Sequence, residues 1–153
     1  MVEKLSSLWI VLALGFAAIL LMFLFPGANK EQDRVCFGES CYTVELARTP
    51  EEQSRGLMER QYLARDSGML FIFPSEGVYP FWMKNTLIPL DIIWLDSNRS
   101  IVFISRNSQP CGTGECPSIN PGKSARYVLE LNGGTSDRIG LKEGDKAVFE
   151  ISA

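Results

Sequence analysis

Hydrophobic and polar positions divide the chain into two regimes. From Leu8 to Phe25 the sequence reads LWIVLALGFAAILLMFLF, without a charge and apolar on every helical face. A bilayer-spanning helix needs about 20 apolar residues and tolerates as few as ~17. The run outlasts the roughly 7–15-residue core of a cleavable signal peptide. Cleavage after Ala28 would also leave Pro26 where a small residue is needed. The pattern predicts an uncleaved transmembrane signal anchor over residues 5–25, a polar linker over 26–33 (PGANKEQD) and one domain over 34–153.

Beyond the linker the apolar positions alternate or form short runs, as strands do. RVCFGESCYTVEL (34–46) predicts a hairpin turning at Gly38-Glu39. GMLFIF (68–73), VYPFWMKN (78–85), PLDIIWLD (89–96), SIVFISRN (100–107), SARYVLELN (124–132) and KAVFEIS (146–152) predict further strands. Between them TPEEQSRGLMERQYL predicts one short helix that ends near Gly56 or Arg60. Thr49 suits its N-cap, Pro50 its first position, and Glu51 and Glu52 the positive end of its dipole. Six to eight strands and one helix imply a mostly β domain, a mainly antiparallel sandwich or barrel.

Charge and cysteine content set the compartment. The net charge is −3 with no basic stripe, which excludes nucleic acid as an expected partner. Lys4 and the α-amino group before the apolar run nearly balance Lys30 and Arg34 after it, so basic residues do not orient the anchor. The cysteines do. Cys36, Cys41, Cys111 and Cys116 form two C-x4-C pairs in the soluble part, an even number suited to a disulfide-permissive compartment. Of three possible pairings the local ones, Cys36–Cys41 and Cys111–Cys116, are favoured because each encloses a turn sequence, FGES or GTGE. A four-thiolate zinc site is the competing reading; the spacing lies at the wide end for zinc, and the chain has no histidine. The domain is therefore expected to face outward from the cell membrane, with no metal or other cofactor.

The polar residues set among apolar ones in FWMKNTLIPLDIIWLD (81–96) are the candidates for a site. In the second strand of that stretch Leu90, Ile92 and Trp94 share one face, and Asp91, Ile93 and Leu95 the other. Asp91 must then be buried and partnered, with Lys84, Arg55 or Arg60 as the available cations. In the first strand Phe81 and Met83 point one way and Trp82 and Lys84 the other. Trp82 with Lys84 and Arg55 would make an aromatic floor with cationic rims, suited to a small anionic or sugar-like ligand. The candidate binding residues are Arg55, Trp82, Lys84, Asn85 and Asp91.

Other chemistries carry weaker signals. Met58, Met69 and Met83 could bind Cu(I), but their spacing imposes no convergence and methionine is a common core filler. Without histidine, Ser-His and Cys-His nucleophiles are excluded within the chain. Asp91, Asp96 and Glu130 could supply the carboxylates of a glycosidase, though no spacing singles them out. Asn98-Arg99-Ser100 fits the N-glycosylation pattern on an expected exposed turn. GLKEGD (140–145) reads as a solvated turn.

RGLMER, GMLFIFP, FWMKNTLIPLDIIWLD, CPSI, YVLELNGG and GLKEGD occur in that order. Together they closely resemble the blocks of the bacterial and archaeal family catalogued as domain of unknown function 192 (UPF0127), over about residues 35–152. The resemblance implies a compact, mostly β sandwich of jelly-roll-like architecture, commonly exported, and it implies no activity. Cys116-Pro117 falls in a family block, whereas Cys36 and Cys111 do not. The expected function is a membrane-anchored, extracytoplasmic binding module for an envelope saccharide or envelope protein, more a binder than an enzyme. A hydrolase acting on envelope glycans through acidic residues is the alternative.

Overall fold

The computed structural model describes residues 32–112 and 114–152. The expected span over 5–25 and most of the linker lie outside them. Among the described residues no helix is long and apolar enough to cross a membrane.

Strands β1 (Arg34–Phe37), β2 (Ser40–Ala47), β3 (Ser67–Gly77), β4 (Leu90–Leu95), β5 (Ile101–Ser108), β6 (Ala125–Asn132) and β7 (Val148–Glu150) form one sheet, in the order β5-β4-β6-β3-β2-β1-β7. Helix α1 (Pro50–Arg55) lies between β2 and β3, and α2 (Thr135–Arg138) between β6 and β7. All neighbours are antiparallel except β2 and β3. That parallel pair needs a crossover connection, and α1 lies within it. The sheet curls until its opposite ends meet. Ile101 N donates to Asp145 O at 2.8 Å, Gly144 N to Ile101 O at 2.8 Å and Ala147 N to Arg99 O at 3.0 Å. Closure of this kind hides edges that would otherwise template aggregation. GLKEGD, read as a solvated turn, is thus the segment that fastens the two ends.

The mostly β character matches the expectation of a sandwich or barrel at the level of class, and the described strands form one curled mixed sheet. Thr49 caps α1 as expected. Its side chain accepts from Glu52 N, the Glu52 side chain accepts from Thr49 N, and Gly56 ends the helix at φ 47°. The hairpin turns at Gly38-Glu39, and Cys36 and Cys41 face each other across it with their sulfurs 2.09 Å apart. Cys111 and Cys116 are joined likewise, at 1.93 Å. Two expectations fail. Residues 78–85 are no strand: Pro80 cannot donate to a ladder, and the segment keeps one bridge, Phe81 to Ile119. The short α2 has no amphipathic period to announce it.

Alternation along the strands sends side chains to two cores. Val35, Val44, Leu70, Ile93, Leu95, Leu129 and Leu131 fill the first. Leu57, Met69, Phe71, Met83, Leu90, Ile92, Trp94 and Val128 fill the second, on the opposite face of the sheet. In β4 the division is the one the sequence pattern predicts.

Candidate functional site

Glu130 breaks the apolar pattern of β6. Its neighbours across the ladder are Met69 of β3 and Ile92 of β4, so its side chain shares their face, in the second core. The residue is 5% exposed. Its Oε2 has no hydrogen-bond partner among the described residues. Burial alone pushes the carboxyl from an ordinary 4.5 up to about 8. A carboxyl in such surroundings stays neutral at pH 7 and keeps both an O–H donor and an acceptor oxygen.

Above Glu130 lies a pocket of about 80 Å³, lined among others by Arg55, Gly56, Phe71, Phe81, Trp82 and Thr86. Its walls come from two segments laid over the sheet. The first is the end of α1. Gln53 Nε2 donates to the β3 carbonyl of Ile72 at 2.9 Å and holds the helix down. Gly56, at φ 47° and ψ −136°, turns the chain over the carboxyl. A Cβ there would stand 3.2 Å from Phe71 Cζ, a tight approach, and 3.8 Å from Glu130 Oε2, and the positive φ favours glycine.

The second wall is residues 78–89. Phe81 packs edge-on against Phe71 and Trp94, at centroid distances of 4.9 and 5.6 Å. Trp94 Nε1 donates to Tyr79 O at 2.8 Å, and Phe81 exchanges two backbone hydrogen bonds with Ile119. Ile119 follows the Cys111–Cys116 loop, whose cysteines also pack against this core. The second disulfide therefore braces the wall that carries Phe81.

The sequence-predicted residues separate into two groups. Arg55 and Trp82 line the pocket, and Lys84 Nζ lies 5.2 Å from the centre of the Trp82 ring. Trp82 is 48% exposed, and the Lys84 ammonium lies over its ring. Asn85 joins the two walls: at φ 55° its carbonyl accepts from Glu59 N at 2.8 Å, and its Nδ2 lies 3.9 Å from Met58 Sδ.

Asp91 is elsewhere. It pairs with Leu131 in the ladder, so its side chain lies on the first-core face, away from Trp82. Its partners are amides, where a cation was expected. Oδ1 accepts from Asn107 N at 2.7 Å and Gly134 N at 2.9 Å, and Oδ2 from Ser136 N at 2.5 Å. From another strand it caps α2, whose own N-cap Gly134 has no side chain to do so. Arg60, the other cation considered, chelates Glu45 at 2.5 Å.

Among the other carboxylates considered, Asp96 accepts from Ser100 N at 2.8 Å within a turn. Met69 and Met83 are buried in the second core, and Met58 lines the pocket. Asn98 is exposed on a turn, as expected. Glu130 is the residue that sequence reasoning left undistinguished. The available signal was a lone acid among apolar residues in YVLELN.

The chain matches the DUF192 family model, described as an uncharacterized ACR, over residues 34–149. It belongs to the DUF192 family. A UPF0127 protein of Thermococcus gammatolerans is 30% identical over 129 residues, covering 81% of this chain and 74% of the relative. One of Thermococcus sibiricus is 28% identical over 128 residues, with 80% and 73% covered. Among solved structures, a candidate transcription regulator from Sinorhizobium meliloti 1021 is 37% identical with a TM-score of 0.70, covering 78% of this chain and 92% of that one. A protein of unknown function from Novosphingobium aromaticivorans is 38% identical with a TM-score of 0.68, covering 76% and 83%. In this DUF192 chain the family-matched region includes every residue of the Glu130 pocket.

Beside that pocket the DUF192 domain carries a wider depression of about 500 Å³, which shares Arg55, Gly56 and Met58 and adds Glu45, Glu59 and Arg60. A ligand group seated over Glu130 could extend into it along the end of α1. Among the described residues Arg55 and Lys84 form no salt bridge, and Lys84 lies over the Trp82 ring.

Proposed function

We propose that the protein is a membrane-anchored, outward-facing binding module that takes a polar group of an envelope saccharide into the Glu130 pocket. The observation that carries this is a buried carboxyl with an unpartnered oxygen at the floor of a small pocket, beside a half-exposed tryptophan. A buried acceptor left without a partner is costly, and a ligand donor supplies one. Trp82 offers an apolar ring face for stacking, and Arg55 and Lys84 can meet an acidic substituent. The anchor over 5–25 and its short linker would keep the domain near the envelope. The curled sheet would be the body of the module, and two disulfides suit it to an oxidising compartment.

Hydrolysis is the second reading, because a carboxyl held neutral near pH 7 is what a general acid requires. A glycosidase also needs a partner carboxyl roughly 5–10 Å away. Glu130 is the one carboxylate among the residues lining the small pocket, so binding leads.

The test is an array of envelope oligosaccharides probed with the full-length protein in detergent. Wild type is expected to bind a subset, and Trp82→Ala to lose at least tenfold in affinity while its circular dichroism is unchanged. Equal binding by both proteins contradicts the reading. Turnover of a saccharide that stops with Glu130→Gln replaces binding by catalysis.

A further inference from the structure

The walls of the pocket narrow the ligand class further, given the saccharide reading above. Phe71, Phe81 and Leu57 give them apolar surface beside the polar Gln53, Arg55 and Thr86, and Glu130, whose Oε2 is unpartnered, lies among them. A volume of about 80 Å³ admits a few waters or a group of about four heavy atoms, and a sugar ring is too large.

Small sugar substituents can be compared one by one. A hydroxymethyl group can satisfy the oxygen, but with about two heavy atoms it leaves much of the pocket unfilled. A carboxylate could meet Arg55 of the lining but carries no hydrogen to donate, so Glu130 Oε2 would still lack a donor. An ammonium would require Glu130 to ionise and would bury an ion pair, whose desolvation can exceed its attraction. An acetamido group fits each wall: four heavy atoms, a methyl for Phe71 and Phe81, and an N–H for Glu130 Oε2.

We propose that this pocket is an N-acetyl subsite, in which Glu130 Oε2 accepts the amide N–H of an N-acetylated amino sugar whose ring lies against Trp82. Adjoining sugar units then run past Gly56 into the wider depression beside Arg55. Gly56 serves specificity here, since a Cβ at its position would press on Phe71 of the pocket wall.

The experiment is calorimetric titration of the full-length protein in detergent with three trisaccharides of the same linkage: β-1,4-linked N-acetylglucosamine, its de-N-acetylated counterpart, and β-1,4-linked glucose. The acetylated ligand is expected to bind at least tenfold more tightly than either of the others. Glu130→Gln, which keeps an acceptor oxygen, should retain that preference, and Glu130→Leu should abolish it. The comparison among the three ligands needs no variant, so it stands even if Glu130→Leu fails to fold. Equal affinities for the three would overturn the N-acetyl subsite and leave the saccharide reading in place. Binding of none of them, and of no oligosaccharide on the envelope array, would overturn both.

Discussion

Replacing Glu130 by glutamine should stabilise the protein, by an amount that depends on pH in a defined way. The native carboxyl titrates near 8 and the unfolded one near 4.5. Below pH 4.5 both states are protonated and the acid contributes no difference. Between 4.5 and 8 the native state holds a proton that the unfolded state releases, so wild-type stability falls as pH rises through that window. At about 1.4 kcal/mol per pH unit, the penalty reaches roughly 3 kcal/mol at pH 7 and levels off near 5 kcal/mol above pH 8. Glutamine has the same shape and does not titrate. The variant should therefore match wild type at pH 4 and exceed it by about 3 kcal/mol at pH 7, or about 12 °C in Tm at ~4 °C per kcal/mol. The assay is thermal unfolding of both full-length proteins in the same detergent from pH 4 to 9, without reductant. Taking the difference cancels groups common to both. Parallel curves across the window would refute the assignment of Glu130 as a buried, unpartnered acid.

Asp91→Ala should act by another route, orphaning three amides that the carboxylate now receives. A destabilisation of at least about 3 kcal/mol in denaturant unfolding is expected at ~1 kcal/mol or more per orphaned amide, with saccharide affinity of the folded fraction unchanged. Gly56→Ala places a Cβ against Phe71 at a φ that glycine favours. It should cost about 1–3 kcal/mol and weaken ligand capture in the same titrations. The double variant Cys111→Ser/Cys116→Ser opens a short loop, worth about 2 kcal/mol by chain entropy. Because that loop braces Phe81, amide exchange should quicken first over residues 79–85. Uniform quickening along the whole chain would argue against the brace.

The second half of FWMKNTLIPLDIIWLD was readable because a period of two is a local property of a strand. Leu90, Ile92 and Trp94 lie on one face and Asp91, Ile93 and Leu95 on the other, as the pattern requires. Local disulfides and the Thr49 cap were legible for the same reason, each involving partners within a few residues. What distinguishes Glu130 was not legible. Its isolation depends on Gly56, Phe81 and Trp82, brought over β6 from distant parts of the chain. The partner of Asp91 was missed because backbone amides leave no mark in a sequence, whereas lysine and arginine do. Residues 78–85 read as a strand since Phe81 and Met83 do point inward and Trp82 and Lys84 outward, but as a covering segment rather than a ladder.

The most direct test of the Glu130 pocket is an NMR titration of the full-length protein with envelope oligosaccharides, reading the Glu130 carboxyl carbon and the Trp82 indole N–H. Both signals are expected to shift together and saturably, while the amides of Asn107, Gly134 and Ser136 around Asp91 stay in place. A saturating response around Asp91, with Glu130 and Trp82 unmoved, would contradict the account.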